Sequence, residues 1–265
     1  MTKQVIPTTR HYTLNLAKGA AVLDEMRTLL LNWMPGEDIN DYLTRVLASD
    51  LLGKRTAKRT RDLVVLVFYP RYIANDDRRA RRLQYLLERG GERDLFREIS
   101  FVYAAHADDL LRDFTIEKFR QSAQVGMIQP DAVLAFLAQA VERQHLKRAW
   151  SRQVQTKYAR SMLGALRDFG LIREERRGRR EVVNYRMTDA GVIYLAHELH
   201  ISGLSDVQVV ESLDWALFGM DRTRVLERLE ELGASAGMLV QRAGSVVRIT
   251  WSYPTMEAMI DAIIR

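Results

Sequence analysis

Cysteine is missing from all 265 residues. That excludes disulfides and thiolate metal sites and is compatible with an intracellular home. No stretch approaches the ~18 consecutive apolar residues that a membrane-spanning helix needs. The opening MTKQVIPTTRHYTLNL has no uninterrupted apolar run of the secretory kind. The sequence therefore predicts a soluble, cytoplasmic protein with no membrane partner. Catalytic signatures are missing too: no GxxxxGK(S/T) phosphate loop, no GxGxxG after a strand, no GxSxG elbow and no HExxH. We accordingly expect no catalytic residues, no cofactor and no small-molecule substrate. There is also no Gly/Ser linker or low-complexity stretch, so domains should pack closely.

Two clusters of titratable residues deserve a reading as chemistry before they are set aside. His197-Glu198-Leu199-His200 puts two histidines at i and i+3, with Asp206 near in sequence. A zinc site needs three or four well-placed ligands, so no metal is expected there. Asp108, Asp109 and Asp113 could suggest acid/base work, but on an amphipathic helix such carboxylates read as the wet face. His106, among apolar neighbours, reads as a hydrogen-bonded core histidine.

What is present is an uneven distribution of charge. The net charge is +6. Residues 150–190 hold ten Lys/Arg against five Asp/Glu, and residues 54–82 hold ten against three. The remainder is acidic, with 20 basic residues against 26 acidic ones. Two basic segments on an otherwise acidic chain point to a polyanion partner, which solubility alone would not require.

The first segment also carries the most specific pattern of elements. From Gln155 to Phe169, apolar residues at Ala159, Met162, Leu163, Leu166 and Phe169 make one helical face. Ser151 or Thr156 can cap its start, and Gly170 supplies the left-handed residue that ends many helices. Leu171–Glu174 and Glu181–Met187 are short and β-prone, with RRGRR as a solvated turn between them. Thr188 or Asp189 then caps a helix to about His200. Helix, glycine, strand, basic turn, strand, helix is the order of a winged helix-turn-helix. Opposite the apolar face, Gln153, Lys157, Arg160, Gly164 and Arg167 recur at spacings of 4, 3, 4 and 3. A helix entering a major groove needs such a stripe, with long polar side chains toward base edges and small residues where the backbone comes close. Arg152 stands beside it, and Arg176, Arg177, Arg179 and Arg180 in the turn suit phosphates or a minor groove. In the second segment Lys54, Arg55, Lys58, Arg59 and Arg61 fall within two helical turns. Arg78, Arg79, Arg81 and Arg82 follow.

The rest of the chain reads as mainly helical. Leu14–Trp33 predicts one helix, and Asp38 or Asn40 caps the next, through Leu51. Thr56 or Thr60 caps a third. The run LVVLVFYPRYI is compatible with strand or buried helix; its helical flanks favour helix, which Pro70 should end or kink. Residues 93–122 predict two helices, the second starting near Thr115, and Pro130-Asp131 opens another. Beyond Gly203, caps at Ser205 and Asp221 start two helices. Met238–Arg242 and Val246–Trp251 alternate as a hairpin, and Thr255–Ile264 closes the chain. The expected division is a helical bundle over 1–125, a winged helix-turn-helix over 126–203, and a C-terminal helix–hairpin–helix segment over 204–265 packed on the winged unit.

In order along the chain, LLGKRTAKRTRDLVVLVFYPRY, DDLLRDF, LGALRDFGLI, YLAHELHISG, DWALFG and LVQRAGSVVRI resemble the BrxA family, a component of BREX phage-defence systems. The resemblance implies a non-enzymatic protein that binds double-stranded DNA and acts beside a methyltransferase, an ATPase and other BREX proteins. It also implies a helical N-terminal part similar in fold to the antitermination factor NusB. No binding motif carries over residue by residue, so the contact residues above rest on charge and spacing. Sequence-tolerant duplex binding is the leading function. A transcriptional regulator reading an operator, an RNA binder and a structural adaptor for partner proteins are the alternatives.

Overall fold

A computed structural model describes residues 12–146, 148–175, 178–244 and 246–264, with the backbone alone at 122–124 and 234. It is mainly helical, with two small two-stranded antiparallel sheets among the described residues. The chain forms two compact units, each built from two separate stretches. One takes Met1–Ala21 with Ala104–Asn184, the other Val22–Tyr103 with Tyr185–Arg265. The expected division into 1–125, 126–203 and 204–265 followed chain order, whereas these units interleave.

The crossing at residues 20–22 explains the first departure from the sequence reading. The expected helix over Leu14–Trp33 is broken into α1 (Leu16–Gly19) and α2 (Leu23–Leu31). Between them Ala20 and Val22 take φ of 51° and 42°, a conformation a β-branched residue rarely adopts. The break lets α1 pack on a helix of one unit while α2 packs within the other.

In the second unit, Asp38 caps α3 (Ile39–Ala48) through the Asn40 amide, and Thr56 caps α4 (Ala57–Leu63) through the Arg59 amide. The run after α4 is helical, as its flanks suggested, but Val64–Phe68 is wound as a π-helix. Pro70 does not end it: α5 (Tyr69–Tyr72) continues straight on. Proline lacks an N–H and its ring crowds the carbonyl four residues back, and the wider π turn ahead of it relieves both demands. Trp33, Tyr42, Phe68 and Tyr72 form an aromatic chain with neighbouring ring centroids 5.0–5.5 Å apart. Next come α6 (Arg78–Glu88) and α7 (Arg93–Ala107).

In the first unit, Asp108 caps α8 (Asp109–Phe114) through the Leu111 amide, so the helix boundary lies there and not near Thr115. Thr115 instead donates back to the Leu111 carbonyl at 2.7 Å, inside a continuous π turn that runs into α9 (Arg120–Val125). Asp108 and Asp113 are also not a wet face. Both are buried, and the Asp113 carboxylate accepts from the Tyr12 hydroxyl at 2.9 Å. Pro130 opens α10 (Pro130–Glu142), and Ser151 caps α11 (Arg152–Asp168). Gly170, at φ 86°, ends the helix and turns the chain into β1 (Ile172–Glu174). β2 (Arg180–Val182) is shorter than expected and pairs with β1 in antiparallel register, Ile172 opposite Val182. A third segment joins this sheet, with Met127 bridged to Glu181 and the Ile128 amide donating to the Arg180 carbonyl at 3.1 Å.

α12 (Asp189–Ile201) was expected to complete the winged unit, but it is a core helix of the other unit, packed against elements that follow it. Gly191 through Leu199 are all buried, so the helix has no wet face to display. Its cap, Thr188, is itself held by Glu98 of α7. That carboxylate accepts from the Thr188 amide at 2.8 Å, the Thr188 hydroxyl at 2.6 Å and the Tyr185 hydroxyl at 2.8 Å. Burial raises the Glu98 carboxyl above the usual range, with these donors opposing. Around α12 lie α13 (Asp206–Val210), α14 (Leu213–Ala216) and α15 (Arg222–Leu232), then the hairpin β3 (Met238–Ala243) and β4 (Val246–Trp251), and α16 (Met256–Ile263). Ser205 and Asp221 supply the expected caps, and Thr255, expected as the first residue of the closing helix, caps it through the Ala258 amide.

Candidate nucleic-acid interface

The face of α11 is built from its cap outward. Ser151 accepts from the Val154 amide, and Gln155 donates to the Trp150 carbonyl at 2.8 Å. Tyr158, Ala159, Met162, Leu163, Ala165 and Leu166 are buried, with α10 and α1 packed on the helix. On the opposite side Gln153, Lys157 and Arg160 are exposed, and Arg152 is exposed on the first turn, about a quarter-turn round from them. None of the four side chains has a hydrogen bond or ion pair among the described residues. Lys157, Arg160 and the Gln153 amide therefore share one face of a helix fixed by its core side, with Arg152 beside them on the first turn. Gly164 continues this stripe in helical backbone, and a Cβ built there meets nothing within 4 Å.

The remaining basic residues of this unit are differently placed. Arg167 is ion-paired to Asp168 at 2.8 Å and to Glu174 at 2.9 Å. Arg180 reaches the same Glu174 at 3.1 Å, and Arg179 lies 3.8 Å from Glu175. The Arg167 hydrogen bond, then the Arg180 charge, hold the Glu174 carboxyl below its ordinary range. Arg167, Arg179 and Arg180, expected among the DNA contacts, thus each have a carboxylate partner in this structure. Glu174 and Glu175 directly precede the basic turn, so this neutralisation was readable in the sequence. Arg176 and Arg177 lie outside the described residues. Exposed pairs of this kind contribute little and exchange readily. Replacing Arg180 and Glu174 together by alanine should weaken polyanion binding by only about threefold, because a cation and its carboxylate leave together and the net charge is unchanged. A titration of a labelled duplex checks this.

In the other unit, much of the basic segment serves the fold. Arg71 and Arg82 are buried, and Arg82 donates to Glu198 at 3.0 Å. Arg78 pairs with Asp76 at 2.6 Å, Arg81 with Asp77 at 2.8 Å, and Arg79 lies 4.9 Å over the Tyr103 ring. Lys54 is bound to Glu25 at 2.8 Å, and Arg59 adds its charge near that carboxylate. Arg55, Lys58 and Arg61 remain exposed without such a partner among the described residues. Glu25 and Glu198 come from distant sequence, which is why charge counting could not see them.

Among the described residues no group of three His, Cys, Asp or Glu is placed to hold a metal ion. His197 is buried, its Nδ1 donating to the Ile193 carbonyl at 2.9 Å. Its ring lies 4.9 Å from Trp251, on which His200 stacks at 4.3 Å. Asp206 accepts from the Ile249 amide at 3.0 Å and the Trp251 indole at 3.2 Å. Burial lowers the pKa of both histidines below its ordinary value. A depressed folded value means that the unfolded chain takes up the proton first. The contribution is thus complete above about pH 6.5 and is lost as the pH falls below it. The urea midpoint should drop between pH 7.5 and pH 5.5, and His197→Leu should drop less over the same interval.

The arrangement is that of a mainly helical protein presenting an unpaired cationic helix face. A family model described as BrxA matches residues 10–198, and the chain belongs to this family, which is associated with BREX phage defence. No curated protein matches it. Among the described residues no helix is long and apolar enough to cross a membrane.

Proposed function

We propose that this chain is a non-enzymatic, double-stranded DNA-binding component of a BREX phage-defence system, with little sequence specificity and with other BREX proteins as partners. The observation that carries it is the set of exposed side chains Arg152, Gln153, Lys157 and Arg160 on the N-terminal half of α11, unpaired among the described residues, with the last three on one face. Leaving three cations without carboxylates, while most other arginines are paired, makes sense for a surface whose counter-charge arrives with a ligand. Cations spaced along one helix match a duplex, where phosphates flank a groove about 12 Å wide that admits a helix.

The order 126–128, α10, α11, β1, β2 supports reading residues 104–184 as a winged helix-turn-helix. In it α11 is the recognition helix, and the turn between β1 and β2 is the wing. Family membership supports the BREX setting. Phosphate attraction is independent of sequence and dominates such binding, and a stripe of three long side chains reaches few base pairs, hence the low specificity. The test is a labelled random-sequence duplex titrated with the full chain, then competed with unlabelled duplex and with unlabelled RNA of equal length. Duplex DNA should compete at lower concentration. RNA competing better would transfer the face to an RNA ligand, and absence of binding would leave an acidic protein partner as its target.

A further inference from the structure

We propose that Gly164 is the point where α11 comes closest to the DNA sugar–phosphate strand, a positioning residue kept small for the ligand and not for the fold. This rests on the duplex reading above and goes beyond it by assigning a role to a residue with no charge. Glycine is the poorest helix former after proline, and its usual justifications are a left-handed backbone or a crowded neighbour. Gly164 has neither. It lies well inside the 17-residue α11, in helical backbone, and a Cβ there would find open space to 4 Å. Nothing within the described chain explains the missing side chain.

Its position does. Gly164 follows Gln153, Lys157 and Arg160 on the same stripe, one turn beyond Arg160. At 1.5 Å rise per residue, Gln153 to Arg160 spans about 10 Å, close to the ~12 Å width of a major groove. Gly164 lies about 6 Å further along the axis, where a helix entering by its N-terminal half meets the groove wall. One turn later the surface changes character, since Arg167 is neutralised by Asp168 and Glu174. The unpaired cationic track thus ends at Gly164. There a bare Cα lets the strand approach, while Arg160 can reach a phosphate beside it.

The experiment uses the full chain with Gly164→Ala and Gly164→Leu, reading thermal melting and anisotropy with a random duplex across a salt series. Because a Cβ meets open space, Gly164→Ala should raise the melting midpoint by about 2 °C, as a better helix former. Affinity should fall, modestly for alanine and about tenfold or more for leucine, as expected for overfilling a close contact. The salt slope should stay that of the parent, because no cation is lost. Parent-like affinity in Gly164→Leu would overturn the contact and leave duplex binding standing. A lowered midpoint in Gly164→Ala would also overturn it, by showing that the fold itself needs glycine. A parent that binds no duplex would overturn the underlying reading, and the contact with it.

Discussion

Replacing Arg152, Lys157 and Arg160 together by alanine should lower affinity for a random duplex about a hundredfold at ~0.15 M salt, and reduce the salt slope by about 2.7. Each cation that neutralises a phosphate releases condensed counterions, so three of them set both numbers. Folding should be preserved, because all three side chains are exposed and unpaired among the described residues. Alanine is also the better helix former. Anisotropy at several salt concentrations, beside a circular dichroism spectrum, checks both halves. Had the turn arginines been the main contact, the triple variant would bind nearly as the parent does. Because Arg179 is paired with Glu175 and Arg180 with Glu174, we expect the α11 face to contribute more than these two arginines.

Glu198→Ala should be the most damaging single change to the unit formed by Val22–Tyr103 and Tyr185–Arg265. Glu198 is buried in α12, where it accepts from the Arg82 guanidinium at 3.0 Å and from the Tyr103 hydroxyl. Removing it leaves a buried cation and a buried hydroxyl without their acceptor, a loss of about 3–5 kcal/mol. Urea unfolding of the full chain reads it as a lower midpoint. The double change Arg82→Met with Glu198→Leu should lose less than Glu198→Ala alone, because no charge is left stranded. An unchanged midpoint in Glu198→Ala would show that the pair contributes nothing to this unit.

Much of the local chemistry was legible in the sequence, though the Asp108 cap and the Glu174 and Glu175 pairs, equally local, were missed. The caps Asp38, Thr56, Ser151, Thr188, Ser205 and Asp221 all bond amides two or three positions on. Gly170 at the end of α11 and the hairpin around Gly244 belong to the same class. The α11 stripe was legible because helical periodicity alone separates Lys157 and Arg160 from Met162 and Leu166. What could not be read were matters decided at long range. The break at Ala20–Val22 exists because the chain leaves one unit for the other there, a fact absent from local propensity. Arg82 looked like surface charge until Glu198, more than a hundred residues away, was found against it. Order along the chain alone groups the helix over 189–201 with the hairpin before it. Its burial on every side, already visible in GVIYLAHEL, marked it as a core element instead.

The most direct test of the proposed function is the affinity of the unmodified full chain for a random-sequence duplex across a salt series. Three unpaired cations on α11 predict that log affinity falls with log salt at a slope of about −2.7 or steeper, with Arg55, Lys58 and Arg61 able only to steepen it. A flat response, or no binding at ~0.05 M salt, would contradict a phosphate-directed interface.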